Sequence, residues 1–489
     1  MVTIAKPQSK DLTHLLSEES KRRRPSPLKQ AFKWFGYPGV TSLGGGLPHS
    51  DLFPFDNLQV ETPVPPFVNG SVFLPQNNSD EKKVHVSVPK AKEAATTLDI
   101  PLSDSLQYGN TQGPQPFLKW IKEHNEMVHD IGYQDWDVAM TIGNTQALDA
   151  TLRTFCNTGD VILMEEFTFT SAEETANGQG LKVVPVKVDL DGMIPEVLEK
   201  QLDEWVGPKP KLLYTIPTGQ NPCGSTLSNE RREAIYKIAQ KHDFIILEDE
   251  PYFFLQMTPY TTDLEQRKKD LEPPSHEDFL KGLVKSFLNF DTDGRVVRMD
   301  TFSKILSPGC RVGWVVGQAR IIERFVRLHE VSVQLPSGFA LSTIYGTLQR
   351  WGHSGYIDWL IQLRKSYTEK RDVCIDAMDK YFPKGRTEYI RLQAGMFFWF
   401  KSDARHYKDY EKYNGDRKAI ETALYDSLIQ AGTHLIPGHW FHIEDPSVTQ
   451  SEDEKNALFF RGTFCTVPTD VLEQALKVAG EHLTQQFTR

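Results

Sequence analysis

Long apolar runs are missing from this chain: nowhere do about 18 apolar residues follow one another, the length a helix needs to cross a bilayer. Mean hydropathy is -0.43, and no membrane partner is expected. Excess positive charge is missing too. Lys+Arg number 55 against 65 Asp+Glu, a net charge of -10, which argues against nucleic acid as a partner. The basic run Lys21–Arg24 reads as a solvated arm, with nuclear import or a phosphate contact as the other reading. Cysteine is scarce. Cys156, Cys223, Cys310, Cys374 and Cys465 are odd in number, scattered and without a C-x-x-C pair, so neither a disulfide framework nor a metal centre follows. The H-x4-H pairs His124/His129 and His434/His439 read as satisfied or exposed histidines. Met1–Lys6 has no apolar core, so no signal peptide is expected. A reducing, cytoplasmic compartment fits, and the sequons at Asn69 and Asn77 then read as chance. No Gly-Lys dipeptide occurs anywhere, which removes a P-loop.

What is present is the balance of a globular protein, 39% hydrophobic and 25% charged. Short apolar runs at Val138–Ile142, Asp160–Met164, Leu181–Val188, Lys211–Ile216, Phe244–Leu247, Val296–Met299 and Gly313–Gly317 alternate with helical patterns such as Asn229–His242. Near-continuous apolar strands separated by helices predict an α/β fold with a mostly parallel sheet covered on both faces. Ligands then sit beyond the carboxyl ends of the strands. A helix-like stretch from Ile321 to Asp379, broken near Leu335-Pro336, is followed by strands at Gly395–Phe400, Thr433–Ile436 and Leu458–Arg461 and a helix from Asp470, a smaller α+β domain. The expected division is an N-terminal arm over 1–50, a large domain over 51–335 and a small C-terminal domain over 336–489. Residues 60–101, 257–295, 403–418 and 444–456 read as polar surface insertions.

Four strand ends carry chemistry. Arg298–Arg311 contains two hydroxyls, Thr301 and Ser303, then Lys304 and, seven residues later, Arg311. Hydroxyls with an arginine make a phosphate cradle, and a desolvated lysine can act as a nucleophile. A surface Lys and Arg flanking a Pro-Gly loop would look the same. Phe244–Tyr252 ends an apolar strand on Glu248, Asp249 and Glu250, suited to pairing with a cationic ring nitrogen, to holding Mg²⁺ or to a solvated acidic turn. Tyr214–Gly224 runs into a rigid Pro/Gly/Asn turn that would fix the Asn221 amide. Gly143-Asn144-Thr145 opens a helix, an anion site. Together these are the groups that pyridoxal 5'-phosphate requires.

The order Gly143-Asn144-Thr145, Asn221-Pro222-Cys223-Gly224, Asp249-Glu250-Pro251-Tyr252 and Ser303-Lys304…Arg311 resembles the class I, fold-type-I pyridoxal-phosphate aminotransferases. It is similar in particular to the fungal aromatic aminotransferases, relatives of kynurenine/2-aminoadipate aminotransferase. Pro25-Ser26-Pro27-Leu28, Leu43–Pro48, Leu106–Gly109 and Phe460–Phe464 extend the likeness from about residue 20 to the C-terminus. The resemblance implies that Lys304 holds the cofactor as a Schiff base and shuttles the proton. It puts Asp249 on the ring nitrogen, Asn221 and Tyr252 on the ring oxygen, and Asn144, Thr145, Thr301, Ser303 and Arg311 on the phosphate. Tyr108 would reach the neighbouring subunit's phosphate, which implies a homodimer. Arg461 would grip the substrate carboxylate, with Asn221 beside it. Gly46 would let the arm close over the substrate.

Three departures stand out. Phe169 replaces the usual ring-stacking tyrosine, Asn144-Thr145 stands where relatives often have Ser-Gln, and Lys29 stands where mammalian relatives tend to have arginine near the substrate side chain. The implied reaction is ping-pong transfer of the amino group of aromatic amino acids to a 2-oxo acid such as 2-oxoglutarate, with 2-aminoadipate, kynurenine or methionine as side substrates. The alternatives are a β-eliminating lyase on the same fold and a non-catalytic cofactor-binding regulator.

Overall fold

The structure is a computed structural model that describes residues 6–31, 34, 37–67, 83–445 and 450–488. The sequons and Met1–Ala5 lie outside these residues. After short helices at Glu18–Arg22 and Pro27–Ala31, the first strands form an antiparallel pair, β1 (Asn57–Pro63) and β2 (Lys83–Pro89). Its Val86 and Val88 are buried with Leu102. Part of the segment expected to be a polar excursion is thus an amphipathic ribbon lying on the helix Gly338–Tyr381, where a Cβ on Gly346 would stand 2.7 Å from Val86.

The apolar runs build the main sheet. β3 (Trp136–Thr141), β4 (Val161–Glu165) and β5 (Lys182–Val186) are followed by a two-residue ribbon, β6 (Val188–Asp189) and β7 (Gly192–Met193). Then come β8 (Leu212–Thr215), β9 (Ile245–Asp249), β10 (Val296–Thr301) and β11 (Gly313–Gln318). The sheet order is β3-β11-β10-β9-β8-β4-β5. Every residue of β8, β9, β10 and β11 is buried, as a sheet covered on both faces demands. Each fully buried Leu, Ile or Val there contributes roughly 1.5–3 kcal/mol. The crossover into β9 has local causes: Ser228 accepts the Arg231 N–H at the start of helix Asn229–His242, and Asp243, at φ 57°, ends it. β11 departs from the parallel expectation. It pairs antiparallel with both β10 and β3, because only the loop Phe302–Val312 separates it from β10. A parallel return needs a crossover of a dozen or more residues, usually helical.

The second sheet, β12 (Thr387–Tyr389), β13 (Phe397–Asp403), β14 (Ile436–Pro437) and β15 (Ala457–Thr463), is antiparallel in the order β12-β13-β15-β14. The helices Gly338–Tyr381, broken at Gly352, and Thr469–Gln486 pack together beside it. The long helix-like stretch read from sequence is therefore two elements, Ala319–His329 and Gly338–Tyr381. The basic run is partly tied down, with Lys21 on Glu18 and Arg23 on Glu19. Among the described residues no helix is long and apolar enough to cross a membrane, and no cluster of metal-ligating side chains occurs.

Candidate active site

The carboxyl ends of β8, β9 and β10 open into a cavity of about 320 Å³. Alternation along β9 and into the residue after it sorts the three acids. Asp249 faces the cavity, while Glu248 and Glu250 point through to the other side of the sheet. There they meet Arg232 and Arg298 in a fully buried cluster. Arg232 lies 3.4 Å from Glu248 and 3.3 Å from Glu250, and Arg298 lies 3.2 Å from Glu248 and 2.8 Å from Asp300. The acidic turn is buried rather than solvated. Burial pushes the Glu250 carboxyl up, against the two arginines that hold it down.

Asp249 accepts two hydrogen bonds, from the Tyr214 hydroxyl at 2.7 Å and from Asn144 Nδ2 at 2.7 Å. Asn144 Nδ2 also donates to the Met299 carbonyl at 3.0 Å. Burial pushes the Asp249 carboxyl up to about 6, against these two donors. Such a group sits at the balance point where an adjacent cation would settle it as the carboxylate. Burial, with Asp249 second, holds the Tyr252 phenol well above its usual range, so it remains a donor.

Lys304 sits half-buried in the loop between β10 and β11 and lines the same cavity. Its Nζ makes no hydrogen bond among the described residues. Thr301 Oγ1 and Ser303 Oγ lie 2.8 Å apart, and Arg311 Nη1 reaches Ser303 Oγ at 3.5 Å and the Pro308 carbonyl at 3.1 Å. Opposite them is the first turn of the helix Asn144–Phe155, whose N-cap, Gly143, has φ 99°. A Cβ on Gly143 would stand 2.5 Å from Arg311 Nη2. Free helix N–H groups, two hydroxyls and a guanidinium converge on one pocket, the donor set of a phosphate site. Gly143→Ala is expected to displace Arg311 and weaken cofactor retention by about 10- to 100-fold, in line with removing one to two charge-assisted hydrogen bonds. Equilibrium dialysis of the cofactor measures it.

At the other end of the cavity Arg461 donates to Asn221 Oδ1 at 2.8 Å. Its guanidinium lies between two rings, 4.5 Å from the Phe397 centroid and 4.6 Å from that of Phe441. Gly219 and Gly395 touch where the Asn221 loop meets the small sheet, and a Cβ on Gly219 would stand 2.5 Å from the Gly395 backbone. Phe169 completes the lining from the end of β4.

The structure therefore brings Asn144, Thr145, Phe169, Asn221, Asp249, Tyr252, Thr301, Ser303, Lys304, Arg311 and Arg461 to one cavity. Tyr108, Lys29 and Gly46 do not line it. Tyr108 is 57% exposed, Lys29 donates to Gln334 at 2.9 Å and lies 5.8 Å from the Tyr108 ring, and Gly46 faces open space.

The sequence profile of the family "Aminotransferase class I and II" matches residues 72–478. The chain belongs to that family. A relative named an aromatic amino acid aminotransferase, from Schizosaccharomyces pombe, is 40% identical over 96% of this chain and 97% of its own length. An L-tyrosine:2-oxoglutarate aminotransferase of Serpula lacrymans is 34% identical over 88% of this chain and 84% of its own. Among solved structures, aminotransferase Aro8 from Candida albicans matches with a TM-score of 0.93 and 51% identity, covering 99% of this chain and 100% of that one. The cofactor of an aminotransferase of this family is pyridoxal phosphate, and the cavity fits it: a donor-rich end for the phosphate, a lysine, and a buried carboxyl.

Sequence reasoning passed over four groups of this aminotransferase's site. Tyr214 was legible in principle, since a tyrosine inside the apolar run Leu212–Thr215 needs a partner for its hydroxyl. Phe397 stood only inside the strand run Gly395–Phe400, and nothing in the sequence singled out Phe441. Gln220 donates to Glu165 at 3.1 Å and to the Phe167 carbonyl at 2.6 Å, tying the Asn221 loop to the segment carrying Phe169.

Proposed function

We propose that this enzyme transfers the amino group of aromatic amino acids to a 2-oxo acid such as 2-oxoglutarate in a ping-pong cycle. The observation that carries this reading is the pairing, in one cavity, of Lys304 and Asp249 with an Arg461 held between two aromatic rings. The names of the fungal relatives support the aromatic donor.

Bound pyridoxal phosphate supplies an electron sink that lets a Cα–H bond break near neutral pH. The chain's own groups do the rest. Asp249, steadied by Tyr214 and Asn144, holds a proton on the ring nitrogen by placing negative charge beside it. Tyr252 and Asn221, which line the cavity, would donate to the ring oxygen. Lys304 would take the proton from substrate Cα as base and deliver it as acid to the cofactor carbon that receives the amino group. Arg461 takes the α-carboxylate in a two-pronged grip and so orients Cα–H. Both rings restrict the guanidinium before substrate arrives, which lowers the ordering cost of binding.

Arg461→Lys is therefore expected to raise KM for both amino donor and oxo acid by about 10-fold or more, because an ammonium keeps the charge and loses the fork and the stacking. Steady-state kinetics with each substrate varied in turn checks this. The deciding experiment for the reaction is phenylalanine with 2-oxoglutarate, run beside cystathionine, which carries a leaving group on Cβ: glutamate and phenylpyruvate from the first mean transfer, ammonia with pyruvate from the second alone means a lyase, and no turnover of either means a regulator. A panel of amino donors then ranks the side chains.

The reading extends to a homodimer in which exposed Tyr108 reaches the neighbouring subunit's cofactor phosphate, with Lys29 and Gly46 on the arm beside it. It also divides the large and small domains near residue 335, after the arm of 1–50. Five free thiols suit a reducing, cytoplasmic setting.

A further inference from the structure

A second and larger cavity, about 540 Å³, lies beside the catalytic one, between the end of β4 and the small sheet. Its walls continue the catalytic walls. Phe167 precedes Phe169 by two residues, Cys223 follows Asn221 by two, Trp399 follows Phe397 by two and Phe459 precedes Arg461 by two. On β13 and β15 that spacing means a shared face. This face repeats one composition twice: Arg461 with Phe397 and Phe441 at the catalytic end, and Lys401 with Trp399 and Phe459 at the other.

The second set forms an aromatic wall of the cavity. Trp399 and Phe459 stack at 5.2 Å and 14°, and Phe167 meets them at 5.3 and 4.8 Å. Val188, Ile194 and Val197 close the apolar interior. Most charges at the cavity are already matched. Lys187 lies 3.2 Å from Glu166 and 2.6 Å from Glu454, and Arg417 donates to the Glu454 carbonyl at 3.3 Å. Two charges are not. The side chains of Lys401 and Glu388 make no hydrogen bond or ion pair among the described residues. They stand directly opposite one another on β13 and β12 and so face the same way. One cation and one anion without an ion-pair partner, beside an aromatic wall, match a zwitterion with an aromatic side chain.

We propose that this second cavity binds an aromatic L-amino acid as an effector, its carboxylate on Lys401, its ammonium on Glu388 and its ring against the wall of Phe167, Trp399 and Phe459. The volume is within the range of small-ligand sites. The assignment stands on this cavity alone and is independent of which donor the enzyme turns over. A ligand there bridges the Phe167 and Cys223 segments to β13 and β15, so its occupancy reaches Phe169, Asn221 and Arg461 through the backbone that carries them.

The test uses holoenzyme treated with borohydride, so that the cofactor is fixed to the chain and cannot react with added amino acid. L-Phenylalanine is titrated in by calorimetry, with L-alanine and 3-phenylpropionate as controls. The expected result is saturable binding of phenylalanine, retained in Arg461→Ala and weakened at least 10-fold in Lys401→Glu. The double exchange Lys401→Glu with Glu388→Lys restores it, and both controls bind at least 10-fold more weakly. Absence of saturable binding, indifference to Lys401→Glu, loss in Arg461→Ala, or equal binding of 3-phenylpropionate would each overturn the proposal.

Discussion

Replacing Lys304 by alanine is expected to abolish turnover, by about 10⁴-fold or more, while the protein still folds and retains some cofactor. The argument starts from placement. Lys304 lies in the loop that returns β10 to antiparallel β11, between the hydroxyls of Thr301 and Ser303 on one side and Arg311 on the other. Its side chain is half-buried and its Nζ makes no hydrogen bond among the described residues, so shortening it leaves no buried partner stranded. The fold therefore loses little. The chemistry loses both the covalent anchor and the group that moves the proton, and a positioned acid–base group alone contributes about 10²–10⁴. Two measurements check this. Borohydride should fix the cofactor to the wild-type chain and not to the variant, and single-turnover rates should fall together with steady-state rates. Turnover near the wild-type level would remove Lys304 from its role.

Asp249→Asn is expected to move activity and stability in opposite directions. Burial raises the Asp249 carboxyl from 3.8 to about 6, so the folded chain holds its proton more tightly than the unfolded chain. The sign follows. Stability contributed by this group is greatest below about pH 4, falls as pH rises toward 6, and stays lost above that. A shift of this size corresponds to about 3 kcal/mol. Asparagine never has to carry a charge there. Its amide can keep one of the two donors, and the Tyr214 hydroxyl must turn to accept, which offsets part of the gain. The cofactor-free variant should thus be more stable than wild type by about 1–2 kcal/mol at pH 8, with no gain near pH 4. Denaturant titration at the two pH values measures it. Activity should fall by about 10²–10³, the size of losing one preorganised electrostatic partner. A variant that is less stable at pH 8 and nearly as active would reject both halves.

Much of this was legible in the sequence, and the reasons are local. The run Phe244–Leu247 had the length and apolarity of a covered strand, and β9 sits there. The helical spacing over Asn229–His242 matches a helix with those bounds, which Ser228 and Asp243 cap. The chemistry-bearing groups at the strand ends stood out in the sequence, the family resemblance supplied their roles, and the structure gathers them around one cavity. The direction of β11 was not read, although the missing helix between Thr301 and Gly313 contained the answer. The ring pair around Arg461 was hidden for another reason. Phe397 and Phe441 come from distant stretches and meet only through the register of the small sheet and the turn after β14. The excursion at 60–101 was misjudged in part, because the valines of β2 alternate and polar neighbours mask them.

The buried ionic cluster on the far side of β9 makes the sheet self-correcting. A slip of one residue would turn Asp249 toward Arg232 and Arg298 and send Glu248 and Glu250 into the catalytic cavity, leaving two guanidinium groups short of counter-charge in a dry interior. Neutral strands could tolerate a shifted alignment at modest cost. This one is keyed like a lock tumbler, so the assembling chain has one admissible alignment for the strand that delivers its essential acid.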